Sequence, residues 1–136
     1  MNPLLFVYGT LLSSVDHPMS RRLGCEATLV GEATFTGRLY RAAWYPGLVE
    51  GYADDAVRGA LHRLHDPEQA FVWLDEFEGV TRGASSVTGP DRYERVERSV
   101  TTSAGSAKAW VYLHRGGVAG LTRVAGGSWT PNSAQE

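Results

Sequence analysis

Two short stretches of this 136-residue chain combine residue types that chemistry can use. The first is Tyr8-Gly9-Thr10-Leu11, which follows the apolar run Leu4-Leu5-Phe6-Val7. A glycine at that point lets the backbone turn sharply and lets a ligand approach the main chain. Successive N–H groups freed where a strand ends in such a turn form a small concavity that holds an anion, a carboxylate as readily as a phosphate. On these residues alone, a glycine that merely ends a core strand explains the stretch equally well.

The second stretch is Leu74-Asp75-Glu76-Phe77-Glu78. On a helix, at about 100° per residue, Ala70, Leu74 and Phe77 form an apolar stripe flanked by Trp73 and Phe71. Glu78 projects inside the stripe, Asp75 falls near its edge beside Glu68, and Glu76 points away, so Glu78 is the acid expected to face the core. An ionised carboxylate among apolar neighbours is costly unless it has a partner. Glu78 therefore either pairs with an arginine such as Arg92 or Arg95, bends out to water at the helix end, or has its pKa raised by burial until it serves as a general acid–base. The residues leave these open.

Other reactive side chains have less to recommend them. His62 and His65 stand three apart without the HExxH pattern of a metal-binding helix, and read as structural or surface histidines. Thr10 and Ser13 have no base nearby in sequence to activate them. The glycines match neither a Walker A loop nor GxGxxG. Cys25 is alone, which rules out an intramolecular disulfide and a Cys-rich zinc site, and it reads as a small core residue. Tyr40, Trp44, Tyr45, Tyr52, Tyr93, Trp110 and Tyr112 are enough aromatics to line a pocket, and equally the side chains with which a small barrel fills itself.

The elements that must carry these residues follow from punctuation. Leu4–Val7 is nearly all apolar and reads as a strand buried on both faces. Pro18 opens a short helix through Leu23, with Gly24 as its stop. From Ala27 to Tyr52 the pattern alternates and is broken by Gly31, Gly37, Pro46 and Gly51, as in short strands that curl a sheet toward a barrel. Val57–Leu64 is a further strand with Val57, Gly59 and Leu61 on one side. Asp66 caps the next helix, Pro67 suits its first position and Glu68 complements its dipole, so it runs to Phe77 or Glu78 and stops at Gly79. Arg92–Thr102 and Ala107–His114 read as a hairpin joined through residues 103–106, with Gly105 in the connection. Thr81–Asp91 is a Gly/Ser/Thr-rich loop, and residues 126–136 form a polar tail after a single domain over residues 1–125.

Composition bounds the function class. With 43% hydrophobic and 21% charged residues the chain is ordinary globular material. A net charge of −2, with Lys108 as the single lysine, offers no dense basic face for nucleic acid. The arginines are scattered and read as solvated faces. No signal-peptide pattern or membrane-spanning run is present, so the cytoplasm is the expected compartment and no membrane partner is expected.

Taken together, Val7-Tyr8-Gly9-Thr10-Leu11 and the distant Leu74-Asp75-Glu76-Phe77-Glu78-Gly79 resemble the gamma-glutamylcyclotransferase-like, or AIG2-like, family. Trp44-Tyr45-Pro46-Gly47-Leu48-Val49, Val57-Arg58-Gly59-Ala60-Leu61, Tyr93-Glu94-Arg95 and Trp110-Val111-Tyr112 extend the resemblance up to about Trp129. It implies an α+β fold, a small mixed β-barrel with flanking helices. It also implies a γ-glutamyl small-molecule substrate bound by Tyr8, Gly9, Thr10 and Leu11, with Glu78 as the catalytic residue, 5-oxoproline as product and no metal or cofactor. Tyr93 and Tyr112 are the expected pocket walls or hydroxyl donors. A non-catalytic carboxylate-binding protein of the same fold and a γ-glutamyl amide hydrolase are the alternatives. Three departures bear on substrate choice: the long stretch from Arg82 to Asp91, the absence of a basic-Gly continuation over Leu12–Val15, and His62 where the family commonly has a tyrosine.

Overall fold

A computed structural model describes residues 1–8, 18–41, 46–51, 55–78, 93–114 and 122–123, with 41, 46, 47, 77, 78 and 122 described by their backbone alone. In chain order the elements are β1 (Leu4–Val7), α1 (Pro18–Glu26), β2 (Ala27–Phe35), β3 (Gly37–Arg41), β4 (Pro46–Glu50), β5 (Val57–Leu64), α2 (Pro67–Glu78), β6 (Tyr93–Thr102), β7 (Gly105–His114) and β8 (Thr122–Arg123). Five strands close into a barrel in the order β1-β5-β2-β6-β7, and β4-β3-β8 form a separate three-stranded sheet. The barrel is mixed: β1 meets β7 in parallel through Leu5 and Trp110, and the other pairings are antiparallel. The α+β class and the mixed barrel with helices are those implied by the resemblance.

Period-two alternation separates two cores. Phe6, Tyr8, Ala33, Phe35, Val57, Leu61, Val100, Ala109, Val111 and Leu113 form one cluster, which Leu39 and Leu48 of the smaller sheet join. The opposite faces of β1 and β7 contribute Leu5, Val7 and Tyr112 to a second cluster with Leu23 of α1 and Ala70, Phe71, Trp73 and Leu74 of α2. The opening strand is thus buried on both faces, as its apolar run implied. Burying a side chain of the size of Leu5 or Phe6 stabilises the fold by about 1.5–3 kcal/mol relative to leaving it exposed.

Two glycines serve needs that other residues could not. A Cβ on Gly59 would run into the main-chain oxygen of Val7 and the Phe6 ring, so β5 can lie this close to β1 only without one. Gly105 has φ +117° directly after the two-residue turn at Ser103 and Ala104. It is the first residue of β7, paired with Thr102, so the second hairpin strand starts two residues earlier than the sequence suggests.

Asp66 caps α2 as expected, its carboxylate accepting from the Gln69 N–H at 3.3 Å. By contrast, α1 runs past Gly24 to Glu26. Its last turn is tied down by the Arg22–Glu26 pair at 2.9 Å and by the Trp73 indole N–H, which donates to Glu26 at 3.0 Å. The extra turn carries Cys25 outward, where it is exposed and not the core residue it resembled in sequence. Among the described residues no helix is long and apolar enough to cross a membrane.

Candidate functional site

Tyr8 directly follows β1 and is buried. Its ring lies 6.2 Å from that of Phe6, and its hydroxyl donates to the main-chain oxygen of Tyr112 at 2.6 Å. The residue that precedes the Gly9-Thr10-Leu11 segment is therefore anchored to the barrel strand β7. Gly9, Thr10 and Leu11 themselves lie outside the described residues.

The other half of the predicted site is on α2. Glu78 is the last residue of that helix; its side chain, like residues 81–91 and 126–136, lies outside what is described. One turn earlier, Asp75 is 4% exposed, which corrects the expectation that Glu78 alone among these acids faces the core. Asp75 accepts from Arg95 Nε at 2.8 Å and Nη2 at 3.2 Å, and from the Tyr112 hydroxyl at 2.6 Å. Three donors offset the cost of removing a carboxylate from water, and that is why an acid at the edge of the stripe can sit inside.

Arg95 corrects a second expectation, since its side chain is only 14% exposed and is no part of a solvated face. Its guanidinium stacks over Phe71 at 4.0 Å and Trp110 at 4.5 Å while it grips Asp75. Arg95, one of the two arginines considered as a partner for Glu78, is thus engaged by Asp75. Arg92 lies outside the described residues.

Tyr93 and Tyr112 are both buried and belong to the cluster beneath α2. Tyr93 faces His114 across the hairpin, ring edge to ring at 5.4 Å. His62 and His65 do not converge. His65 is exposed, with Nε2 2.9 Å from the Thr28 hydroxyl, whereas His62 is 3% exposed and neither ring nitrogen has a hydrogen-bond partner among the described residues. Burial pushes the His62 pKa down, because the charged form would lose its water. Among the described residues no group of three or more His, Cys, Asp and Glu side chains is arranged to hold a metal.

Tyr112 thus links the end of β1 to α2: its carbonyl receives Tyr8 and its hydroxyl reaches Asp75. Tyr8 and Tyr112 are among the residues expected at the site, whereas the Asp75–Arg95 pair is not anticipated in the sequence. The available signal was parity, since Arg95 shares a strand face with Tyr93, and an arginine on a face destined for a helix needs a buried anion.

Residues 5–131 match the family model described as gamma-glutamyl cyclotransferase, AIG2-like. A gamma-glutamylcyclotransferase family protein, ytfP, of Citrobacter rodentium is 31% identical over 129 residues, covering 92% of this chain and 93% of its own length. Among solved structures, an AIG2-like protein from Mus musculus superposes with a TM-score of 0.70 at 21% identity, over 94% of this chain and 88% of that one, a likeness of fold. YkqA of Bacillus subtilis gives a TM-score of 0.68 at 25% identity over 95% of this chain, which spans only 40% of that longer protein. The chain belongs to the gamma-glutamyl cyclotransferase, AIG2-like family.

Proposed function

We propose that this chain is a γ-glutamylcyclotransferase, cyclising the glutamyl group of a γ-glutamyl amine or peptide to 5-oxoproline with release of the amine. Family membership supports the reaction class. The structural observation that carries the reading is the convergence of Tyr8 and Asp75 on Tyr112, because it ties the end of β1 and the last turn of α2 to one residue of the barrel.

In this reading the main-chain N–H groups of Gly9, Thr10 and Leu11 hold the substrate α-carboxylate, with Tyr8, Tyr93 and Tyr112 as walls. Fixing the carboxylate holds the α-amino group near the γ-carbonyl, so an internal attack replaces an encounter in solution. Glu78 takes a proton from the α-ammonium. The freed nitrogen attacks the γ-carbon, and Glu78 gives its proton to the departing nitrogen as the bond from the γ-carbon to it breaks. The second proton of the attacking nitrogen passes to the released amine, which leaves as its ammonium beside a neutral ring N–H. Each unit by which the ammonium pKa exceeds that of Glu78 costs about 1.36 kcal/mol, so a carboxyl raised by burial helps directly. None of these steps calls on a metal or cofactor. The lone cysteine suits a reducing compartment, and we assign the protein to the cytoplasm.

The test is a panel of γ-glutamyl compounds, including glutathione, γ-glutamyl dipeptides and γ-glutamyl-lysine-type amines, read by mass spectrometry. The reading expects 5-oxoproline and free amine from at least one of them. Free glutamate would mark a hydrolase, and binding without turnover a non-catalytic pocket protein; either result replaces the proposal.

A further inference from the structure

We propose that Asp75, clamped by Arg95 and the Tyr112 hydroxyl, is a positioning residue that fixes the last turn of α2, and with it Glu78, against the end of β1. This rests on Glu78 being the acid–base of the site. Asp75 lies three residues before Glu78 on the same helix, so both sit in its final turn. A helix end frays unless something holds it. Here the hold comes from the barrel: two strands reach under α2, with Arg95 from β6 and Tyr112 from β7 both on the Asp75 carboxylate.

The clamp is more specific than burial of apolar side chains would be. Leu74 and Phe71 can slide and still remain covered, whereas a bidentate guanidinium and a hydroxyl fix the height and the rotation of the helix together. Arg95 is itself held in place, its flat face over Phe71 of the same helix and over Trp110 of β7. The far end of the chain of contacts is the Tyr112 carbonyl, which receives the Tyr8 hydroxyl immediately before Gly9. The last turn of α2 and the end of β1 are thereby tied to each other through Asp75, Tyr112 and Tyr8.

Three variants test this: Asp75→Asn, Arg95→Lys and Tyr112→Phe, each compared with the parent by steady-state kinetics on a γ-glutamyl dipeptide and by thermal unfolding. A displaced catalytic group costs turnover more than binding, so kcat is expected to fall by about tenfold to a hundredfold with KM changing far less. Arg95→Lys keeps the charge and loses the fork, so it shares the loss. Should Asp75→Asn not fold, Tyr112→Phe, which removes one oxygen atom, still decides the matter. Folded Tyr112→Phe and Arg95→Lys proteins with the parent kcat overturn the proposal, whether they show a lowered Tm or a raised KM alone. The Glu78 carboxyl titration, followed by carbon-13 NMR, separates this proposal from the reaction it rests on. A parent that turns over no γ-glutamyl compound but whose Glu78 midpoint moves in Tyr112→Phe retires the reaction and retains the positioning; an unmoved midpoint in such a parent overturns both.

Discussion

The Tyr8 hydroxyl donates to the main-chain oxygen of Tyr112 across 2.6 Å, with both residues buried. The bond joins the last described residue before Gly9 to the strand that closes the barrel, so its loss is expected to be felt in stability. Tyr8→Phe is expected to lower stability by about 1–2 kcal/mol, the usual effect of deleting one partner of a buried hydrogen bond. Urea unfolding should show an earlier midpoint with the same slope. An unchanged midpoint would mean that this bond contributes nothing.

The Asp75–Arg95 pair carries a different expectation, because removing one member leaves the other buried and charged. Asp75→Ala should cost about 3–5 kcal/mol, and the double change Asp75→Leu with Arg95→Met distinctly less than that. Both side chains are well covered, at 6% and 14% exposed, so solvent screening does little to shrink the effect. The double variant being the less stable of the two would show that the pair itself, and not the uncompensated charge, dominates.

His62 makes stability depend on pH in one direction. Its folded pKa is depressed by burial, so on acidification the unfolded chain takes up the proton first. The contribution of His62 is fully present above the unfolded value of about 6.5 and is lost as pH falls toward the lower folded value, at up to about 1.36 kcal/mol per pH unit. His62→Leu should flatten the acid side of a Tm-against-pH curve between pH 5 and pH 7 (roughly the range where an ordinary histidine titrates). A curve of unaltered shape would place the acid sensitivity elsewhere.

Gly59→Ala probes the close approach of β5 to β1. The new methyl meets the Val7 oxygen, which is backbone and cannot swing aside, as well as the Phe6 ring. A loss of about 1–3 kcal/mol is expected from overpacking. Because Val7 leads into Tyr8 and Gly9, the variant should also bind a γ-glutamyl ligand more weakly. Calorimetry showing parental affinity in a destabilised variant would separate the strand from the site.

What the sequence disclosed divides by range. Local signals held: Asp66-Pro67-Glu68 started α2 where the structure starts it, and the alternation around Val57, Gly59 and Leu61 gave the correct interior face of β5. Non-local consequences did not come through. Nothing near Leu5 announces that Trp110 will lie beside it in parallel, and Asp75 looks half-solvated until Arg95 arrives from a strand twenty residues on. Gly24 misled because a helix tolerates one exposed glycine when the following Glu26 is held by Arg22 and Trp73. For the site, geometry on the sequence marked Glu78 and Gly9 without choosing between a structural and a chemical role, and only the family resemblance implies the chemical one.

In the proposed reaction Glu78 moves the proton of an internal aminolysis. Its most direct test is the rate of 5-oxoproline release from the best γ-glutamyl substrate by the parent and by Glu78→Gln, with circular dichroism and Tm confirming that the variant is folded. A loss of about 10²–10⁴-fold in kcat is expected, the contribution of a positioned acid–base, with substrate still bound. A folded Glu78→Gln protein that releases 5-oxoproline at the parental rate would contradict it.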